Sequence, residues 1–324
     1  MSGFWVKASM RFGLYGAGAF LVWAGSASAA EADLPFGLLT LCLATLPETR
    51  PEQLWASWSL APVIVLPLLL VATLYGRGLH VLYSDIRPPL TQRVLFVAGM
   101  ACLVVALVSP LCRMASTLAW AHMVQHVLLV AGAPLLLALS RPGRVLIAAL
   151  PERLRMTLEA MRTDRAASQP YAYLLASFVL YGANIWFWHV PALYQGALMD
   201  AGLHVLMVAV LLAVSLLFWH VILETYRIPG PGSGLAAALL FFTFLHTAVL
   251  GLLLALSPQV WYPLMALRGA AWGLLPIDDQ RLAGLIMWIP MGGVYFATAL
   301  VIMGRLITGS SRAADPAAAS TGVE

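Results

Sequence analysis

The sequence predicts an all-α fold, a polytopic membrane bundle of seven transmembrane helices that follow a signal peptide. Hydrophobic residues make up 61% of the 324 residues and charged residues 10%, whereas a soluble domain carries about a quarter charged residues. The mean hydropathy is +0.88. Apolar segments of near-spanning length recur along the chain, and arginines concentrate in alternate connections between them. Lipid is therefore the predicted surroundings of most of the chain.

The amino-terminal residues have the pattern of a secretory signal. Lys7 and Arg11 precede an apolar run, which is followed by the small residues of Ala24–Ala30. We interpret residues 1–29 as a signal peptide. The alternative is an uncleaved first span, because the apolar run extends if the alanines are counted. Either way, residues 30–59 are predicted to be an extracytoplasmic segment.

Seven apolar segments then follow and are predicted to form a membrane domain over residues 60–305. A helix needs about 20 apolar residues to cross a bilayer. The predicted spans are Leu60–Arg77, Val94–Val108, Ala119–Leu139, Tyr173–His189, His204–Val221, Leu235–Leu256 and Leu282–Gly304. Residues 306–324, rich in alanine and serine, are predicted to be a disordered cytoplasmic tail.

The arginines predict the orientation of these spans. Two arginines flank the first connection, six lie in the third, Arg227 lies in the fifth and two follow the last span, whereas the second, fourth and sixth connections together hold only Arg113, Arg268 and Arg281. Positive charge favours the cytoplasmic side, so the amino terminus is predicted outside and the carboxyl terminus inside a bacterial cytoplasmic (inner) membrane. This topology accounts for the isoelectric point of 9.1. The predicted partner of the arginine-rich surface is the lipid bilayer, and no nucleic-acid partner is predicted.

Histidines mark a candidate metal site. His122 and His126 stand four residues apart, so they share one helix face and both imidazoles can reach one ion. By the predicted topology, His189 and His204 lie at the same outer level, and His246 lies deeper. Histidine within a bilayer is costly and usually faces a polar interior, which makes all five candidate metal ligands. Taken singly, each is also compatible with a hydrogen bond between helices.

Methionines and aspartates surround this level. Imidazole with nearby thioether suits copper and, less selectively, zinc or iron. The methionines predicted in the outer half are Met123, Met199, Met207, Met287 and Met291. Met123 and Met287 are predicted to lie next to the ligands, although methionine is also common packing material. Asp278 and Asp279 are predicted either to orient a histidine or to cap the last span.

The cysteines are too few for a thiol-rich site. There is no C-x-x-C motif. Cys42 and Cys112 are both predicted outside, where a disulfide is compatible with an oxidising compartment, but the spacing does not establish one.

Three separated motifs resemble those of the polytopic CtaG family of cytochrome c oxidase assembly proteins, which is distinct from the single-span copper chaperone of the same name. The motifs are HMVQHVLLVAGAPLLLALSRP from His122, WFWHVPALYQGAL from Trp186, followed by His204, and DDQRLAGLIMWIPMGGVYF from Asp278. The resemblance covers residues 58–305. It implies a factor that assists maturation of a haem-copper oxidase by copper delivery or insertion, with oxidase subunits as partners. Carried over by position, the family's functional residues fall on His122, His126, His189, His204, Asp278, Asp279 and Gln280, with His246 as a further candidate.

Other classes of protein fit less well. The chain has no serine or cysteine nucleophile motif and no glycine-rich phosphate loop, so it is not predicted to be an enzyme. A retinal protein needs a lysine within a span, and the only lysine is Lys7. A haem-binding membrane protein stays open, although His122 and His126 cannot approach one haem from opposite faces. A metal-free chaperone for an oxidase subunit and a homo-oligomer are also compatible with the sequence.

Overall fold

The computed structural model describes residues 40–83, 86–163, 170–227 and 232–314, which form an all-helical bundle. The predicted signal peptide and the last ten residues of the predicted tail, 315–324, lie outside the described residues.

The helices of the first half lead to the span that carries the histidine pair. In chain order they are α1 (Pro62–Val81), α2 (Leu90–Leu107), α3 (Pro110–Ala115), α4 (Ala119–His126), a π-helical turn (Val127–Gly132), α5 (Ala133–Ser140), α6 (Gly143–Ala148) and α7 (Glu152–Thr163). Helix α4, the π turn and α5 form one continuous span. A short 3₁₀ helix, Pro51–Ala56, precedes α1.

The second half alternates long helices with short ones. In chain order they are α8 (Pro170–Trp188), α9 (Pro191–Met199), α10 (Ala201–Arg227), α11 (Gly232–Leu256), α12 (Pro263–Arg268), α13 (Pro276–Ile286), a second π turn (Met287–Met291) and α14 (Gly292–Ala314). Many helices begin at a proline, whose fixed φ suits the first turn and whose missing N–H would have no intrahelical partner there. Helix α14 ends within the segment predicted as a tail.

Six helices of the described residues are long and apolar enough to cross a membrane. They correspond to six of the seven predicted spans and make this a multi-pass membrane protein. At the position of the fourth predicted span, α8 is helical over 19 residues but is not among the six. Its tyrosines, tryptophans and Asn184 lower its hydropathy.

The third span, residues 119–140, is the centre of the bundle. In its most apolar stretch 61% of residues are buried, against 11% in α1, which lies at the edge. Helices α2, α10 and α13 all pack against this span. The histidine pair is therefore carried by the most enclosed of the six candidate spans in the described residues.

Pro134 has no N–H to donate to the Val130 carbonyl four residues before it, so this carbonyl at the π turn is free for partners outside the helix. The Val130 carbonyl accepts hydrogen bonds from the Tyr181 hydroxyl at 3.1 Å and from Trp219 Nε1 at 3.0 Å. The hydroxyls of Tyr181 and Tyr295 share a further hydrogen bond at 2.6 Å. The two π turns also contact each other. Irregular backbone is thus satisfied by neighbouring side chains, as a membrane interior requires.

A disulfide closes one end of the bundle. Cys42 and Cys112 are bonded, which joins the segment before α1 to α3. Arg268 supports the same region by donating hydrogen bonds to the carbonyls of Ala44 and Leu46. The sequence spacing did not establish a disulfide between Cys42 and Cys112, and the structure shows that it forms.

Helices α11 and α13 cross at two glycines. A Cβ placed on Gly284 would lie 2.6 Å from the Ala255 nitrogen and closer still to the Gly251 carbonyl oxygen. Contacts this short are not made by real Cβ atoms, and the obstacle is backbone, which cannot rotate away. The absence of side chains on both glycines sets the distance between the two helices.

We expect Gly284→Ala to destabilise the protein by about 1–3 kcal/mol, because the added methyl group overpacks this crossing. The matched control is Gly293→Ala, whose Cβ would meet nothing within 4 Å. The melting temperatures of the two variants in one detergent measure the difference, and size-exclusion chromatography checks beforehand that each sample is monodisperse. Equal melting temperatures for the two variants would contradict the close crossing.

Candidate functional site

Four of the five predicted histidines lie together near the disulfide-bonded end of the bundle. His122 and His126 project from α4, His189 directly follows α8, and His204 lies in the first turn of α10. Their exposed fractions are 2%, 5%, 7% and 5%. The ring centroids of His122 and His126 are 4.2 Å apart, and those of His126 and His189 are 5.7 Å apart. His204 is close enough to interact electrostatically with His122 and His126. We call these four residues the histidine cluster.

Backbone carbonyls orient two of the rings. His189 Nδ1 lies 2.7 Å from the Ile185 carbonyl oxygen, and His204 Nδ1 lies 3.2 Å from that of Ala197. Because a carbonyl oxygen only accepts, each Nδ1 carries the proton and donates it. The lone pair is therefore on Nε2 in both rings, the arrangement found in histidines that ligate metals.

Other ring nitrogens of the cluster are buried without a hydrogen-bond partner in the part of the chain that the structure describes. They are Nδ1 and Nε2 of His122 and Nε2 of His189. The Ala115 carbonyl lies near His122, but no well-formed hydrogen bond joins them. A buried polar atom left unpaired costs about 1–3 kcal/mol, so these nitrogens require an explanation.

The imidazoles as placed do not by themselves form a metal site. Across residues 40–83, 86–163, 170–227 and 232–314, no group of three or more His, Cys, Asp or Glu side chains could hold a metal ion. The ring planes of His122 and His126 are inclined by 46°, and those of His126 and His189 by 88°. Ring rotation or donors of another type would be needed to complete a coordination sphere.

Sulfur donors are present beside the cluster. A small pocket is lined by His126 and His189 together with Met123, Met287 and Met291, and the rest of its lining is aliphatic. Met287 and Met291 are the first and last residues of the second π turn. The structure thus places two predicted neighbours of the site, Met123 and Met287, next to two of the histidines, and it adds Met291.

Two tyrosines enclose the other side of the cluster. The ring of Tyr194 meets His122 edge-on at 4.5 Å, and Tyr262 packs on Tyr194 at 4.7 Å. The Tyr262 hydroxyl donates to the His189 carbonyl at 3.0 Å. Burial raises the pKa of both phenols well above the usual value of 10, so both stay protonated. Sequence reasoning missed these residues, although Tyr194 lies within the motif that begins at Trp186.

Asp279 holds the start of the histidine helix. Its carboxylate accepts hydrogen bonds from the backbone N–H groups of Ala119 at 2.8 Å and Trp120 at 2.9 Å, the first two residues of α4. Asp278 is instead exposed and pairs with Arg281 at 3.1 Å. Of the two predicted roles, capping describes the contacts of Asp279, but the capped helix is α4 rather than its own.

His246 and Gln280 have different surroundings from the cluster. His246 Nδ1 accepts a hydrogen bond from Trp186 Nε1 at 3.3 Å, and its ring meets Phe178 edge-on. As placed, its contacts are with α8, and the structure does not bring it to the other four histidines. The Gln280 amide donates to the carbonyls of Leu254 and Gln259, which fastens the connection after α11.

These features define a multi-pass helical membrane protein with a buried cluster of histidines near one end. Residues 73–308 match the family described as cytochrome c oxidase caa3 assembly factor (Caa3_CtaG). The match covers well over half of the chain, so the chain belongs to this family, and the resemblance drawn from the three motifs is confirmed. No curated protein and no solved structure matches the chain. Membership implies that the protein acts together with oxidase subunits.

We expect Asp279→Ala to lower the stability of the protein by about 1–3 kcal/mol, because two N–H groups lose a charged acceptor. Asp278→Ala removes only an exposed ion pair, worth about 0–1 kcal/mol, and is the matched control. Melting temperatures of the purified variants in one detergent test the difference. A shift as large for Asp278→Ala as for Asp279→Ala would exclude the capping role.

Proposed function

We propose that this chain binds copper as cargo at the histidine cluster and passes it to a subunit of a haem-copper oxidase during assembly. The observation that carries the proposal is the burial of four imidazoles together, with ring nitrogens that have no hydrogen-bond partner among the described residues. Transfer would proceed by exchange of ligands, and no covalent bond of a substrate is made or broken. The protein is therefore a carrier and assembly factor rather than an enzyme.

The chemistry of the cluster supports a metal ion over an anion. His189 and His204 present Nε2 lone pairs, which accept a metal and cannot donate to an anion. The carbonyls behind their Nδ1 atoms are the outer groups that orient metal-bound histidines. A bound metal ion would also relieve the cost of the unpaired nitrogens of His122 and His189.

The proposed location of the cluster is the outer side of a bacterial cytoplasmic membrane. We take α8 as a seventh span and residues 1–29 as a signal peptide, so that the arginine-rich connections face the cytoplasm. The Cys42–Cys112 disulfide then lies on the outer, oxidising side. Cys112 is on α3, directly before the histidine helix, so the cluster shares that side.

Haem binding is less compatible with this arrangement. A haem bound by two histidines needs them on opposite faces of the macrocycle. The rings of His122, His126 and His189 pack directly on each other, with centroids 4.2 and 5.7 Å apart along the series. No slot for a macrocycle separates these three rings.

We expect the double variant His122→Ala, His126→Ala to lose copper binding, because it removes half of the histidine cluster. Copper retained after exposure of the detergent-purified protein to reduced copper should fall by about tenfold or more. In cells, the variant should lower the copper content and activity of the oxidase. His80→Ala, at the exposed end of α1, is the matched control and should match the parent.

Unchanged copper stoichiometry in the double variant would overturn the proposal. A haem band in the visible spectrum of the parent would favour the haem-binding alternative. A parent that holds neither metal nor haem, yet is still required for oxidase activity, would favour a metal-free chaperone for an oxidase subunit.

A further inference from the structure

The geometry points to monovalent copper, Cu(I), as the cargo, held in the pocket beside the histidine cluster by the thioethers of Met123, Met287 and Met291 and the imidazoles of His126 and His189. This inference rests on the proposed function, because it names the oxidation state of the cargo and the atoms that bind it.

The donor set of the pocket is soft. Its described lining combines three thioether sulfurs with two imidazoles, and the other lining residues are aliphatic. Thioethers are poor ligands for hard divalent ions and good ligands for Cu(I). Zinc and Cu(II) favour nitrogen, thiolate and oxygen donors.

The charge of the pocket favours a monovalent ion. None of the described residues that line it is acidic or a cysteine, so the protein offers no negative charge to balance a metal. The cost of moving an ion from water into an apolar interior rises with the square of its charge, which makes a divalent ion about four times as costly as a monovalent one. A neutral pocket within a bundle of membrane helices therefore discriminates against Cu(II) and Zn(II).

A backbone feature places two of the three methionines. Met287 and Met291 stand four apart across the second π turn, so they share a face, and that turn contacts the first π turn below His126. Their exposed fractions are 1% and 3%, and that of Met123 is 4%. Turns of this type occur frequently at functional sites.

The ring of His189 is oriented by one of its nitrogens, and its other nitrogen is free to bind a metal. His189 is 7% exposed, its Nδ1 donates to the Ile185 carbonyl, and its Nε2 is buried without a hydrogen bond among the described residues. The same ring lines the pocket. A lone pair held beside three thioethers fits a metal that prefers both nitrogen and sulfur.

The test is metal binding by the full-length protein in lipid nanodiscs. Cu(I) affinity is measured without oxygen, by competition with a chromophoric Cu(I) chelator, and Zn(II) and Cu(II) are titrated separately. The variant is Met123→Leu, Met287→Leu, Met291→Leu, which keeps side-chain volume close to that of the parent. Met303→Leu, half-exposed on α14, is the control. X-ray absorption at the copper edge reports whether sulfur is coordinated.

We expect the parent to bind Cu(I) with sulfur in its coordination shell and to prefer it over Zn(II) and Cu(II). The triple leucine variant should keep the melting temperature of the parent, lose the sulfur shell, and bind Cu(I) on the order of 100-fold more weakly, since even outer groups of metal sites are worth about 10- to 100-fold in affinity.

Two results would overturn the inference and leave the proposed function intact. The first is a copper coordination shell in the parent that contains nitrogen and no sulfur. The second is an unchanged Cu(I) affinity in the triple leucine variant, together with loss of copper in the His122→Ala, His126→Ala variant. A preference of the parent for Zn(II) or Cu(II) would overturn the inference as well. Absence of any copper binding by the parent would overturn both the inference and the proposed function.

Discussion

The carboxylate of Asp279 sets the relation between the two helices that carry most of the candidate ligands. It accepts the first two N–H groups of the helix that bears His122 and His126, and it belongs to the helix that continues into the π turn of Met287 and Met291. A helix start has unpaired donors and partial positive charge, so a buried carboxylate is both bound and neutralised there. These two hydrogen bonds therefore set the position of Met287 and Met291 relative to His122 and His126.

The two π turns are the second constraint on the site. In an α-helix the Val130 carbonyl would pair with the N–H of residue 134, but that residue is Pro134 and has none, so the carbonyl instead receives Tyr181 and Trp219. These bonds tie α8 and α10 to the central span just below the cluster. The bundle therefore gives up regular backbone pairing at the depth of the pocket and recovers it through aromatic side chains from two neighbouring helices.

The sequence predicts the helices well, because apolar length and charge distribution act locally along the chain. The i, i+4 spacing of His122 and His126 likewise places both on one face without knowledge of the fold. The contacts of Asp279, Tyr194 and His246 depend on which helix lies beside which, and no local pattern encodes that order. His246 shows the limit of prediction from sequence. Its predicted depth in the membrane suggested that it belongs to the histidine cluster, but the face of α11 on which it lies directs its ring to Trp186.

The disulfide has a consequence for how far two helices can separate. Cys42 precedes α1 and Cys112 follows α2, so the bond encloses two of the candidate spans as a loop. The two thiols meet only when α1 and α2 lie side by side with both ends of this helical hairpin together. Once formed, the bond restricts the separation of α1 and α2 and fixes the segment before α1 against α3, next to the helix of the histidine pair.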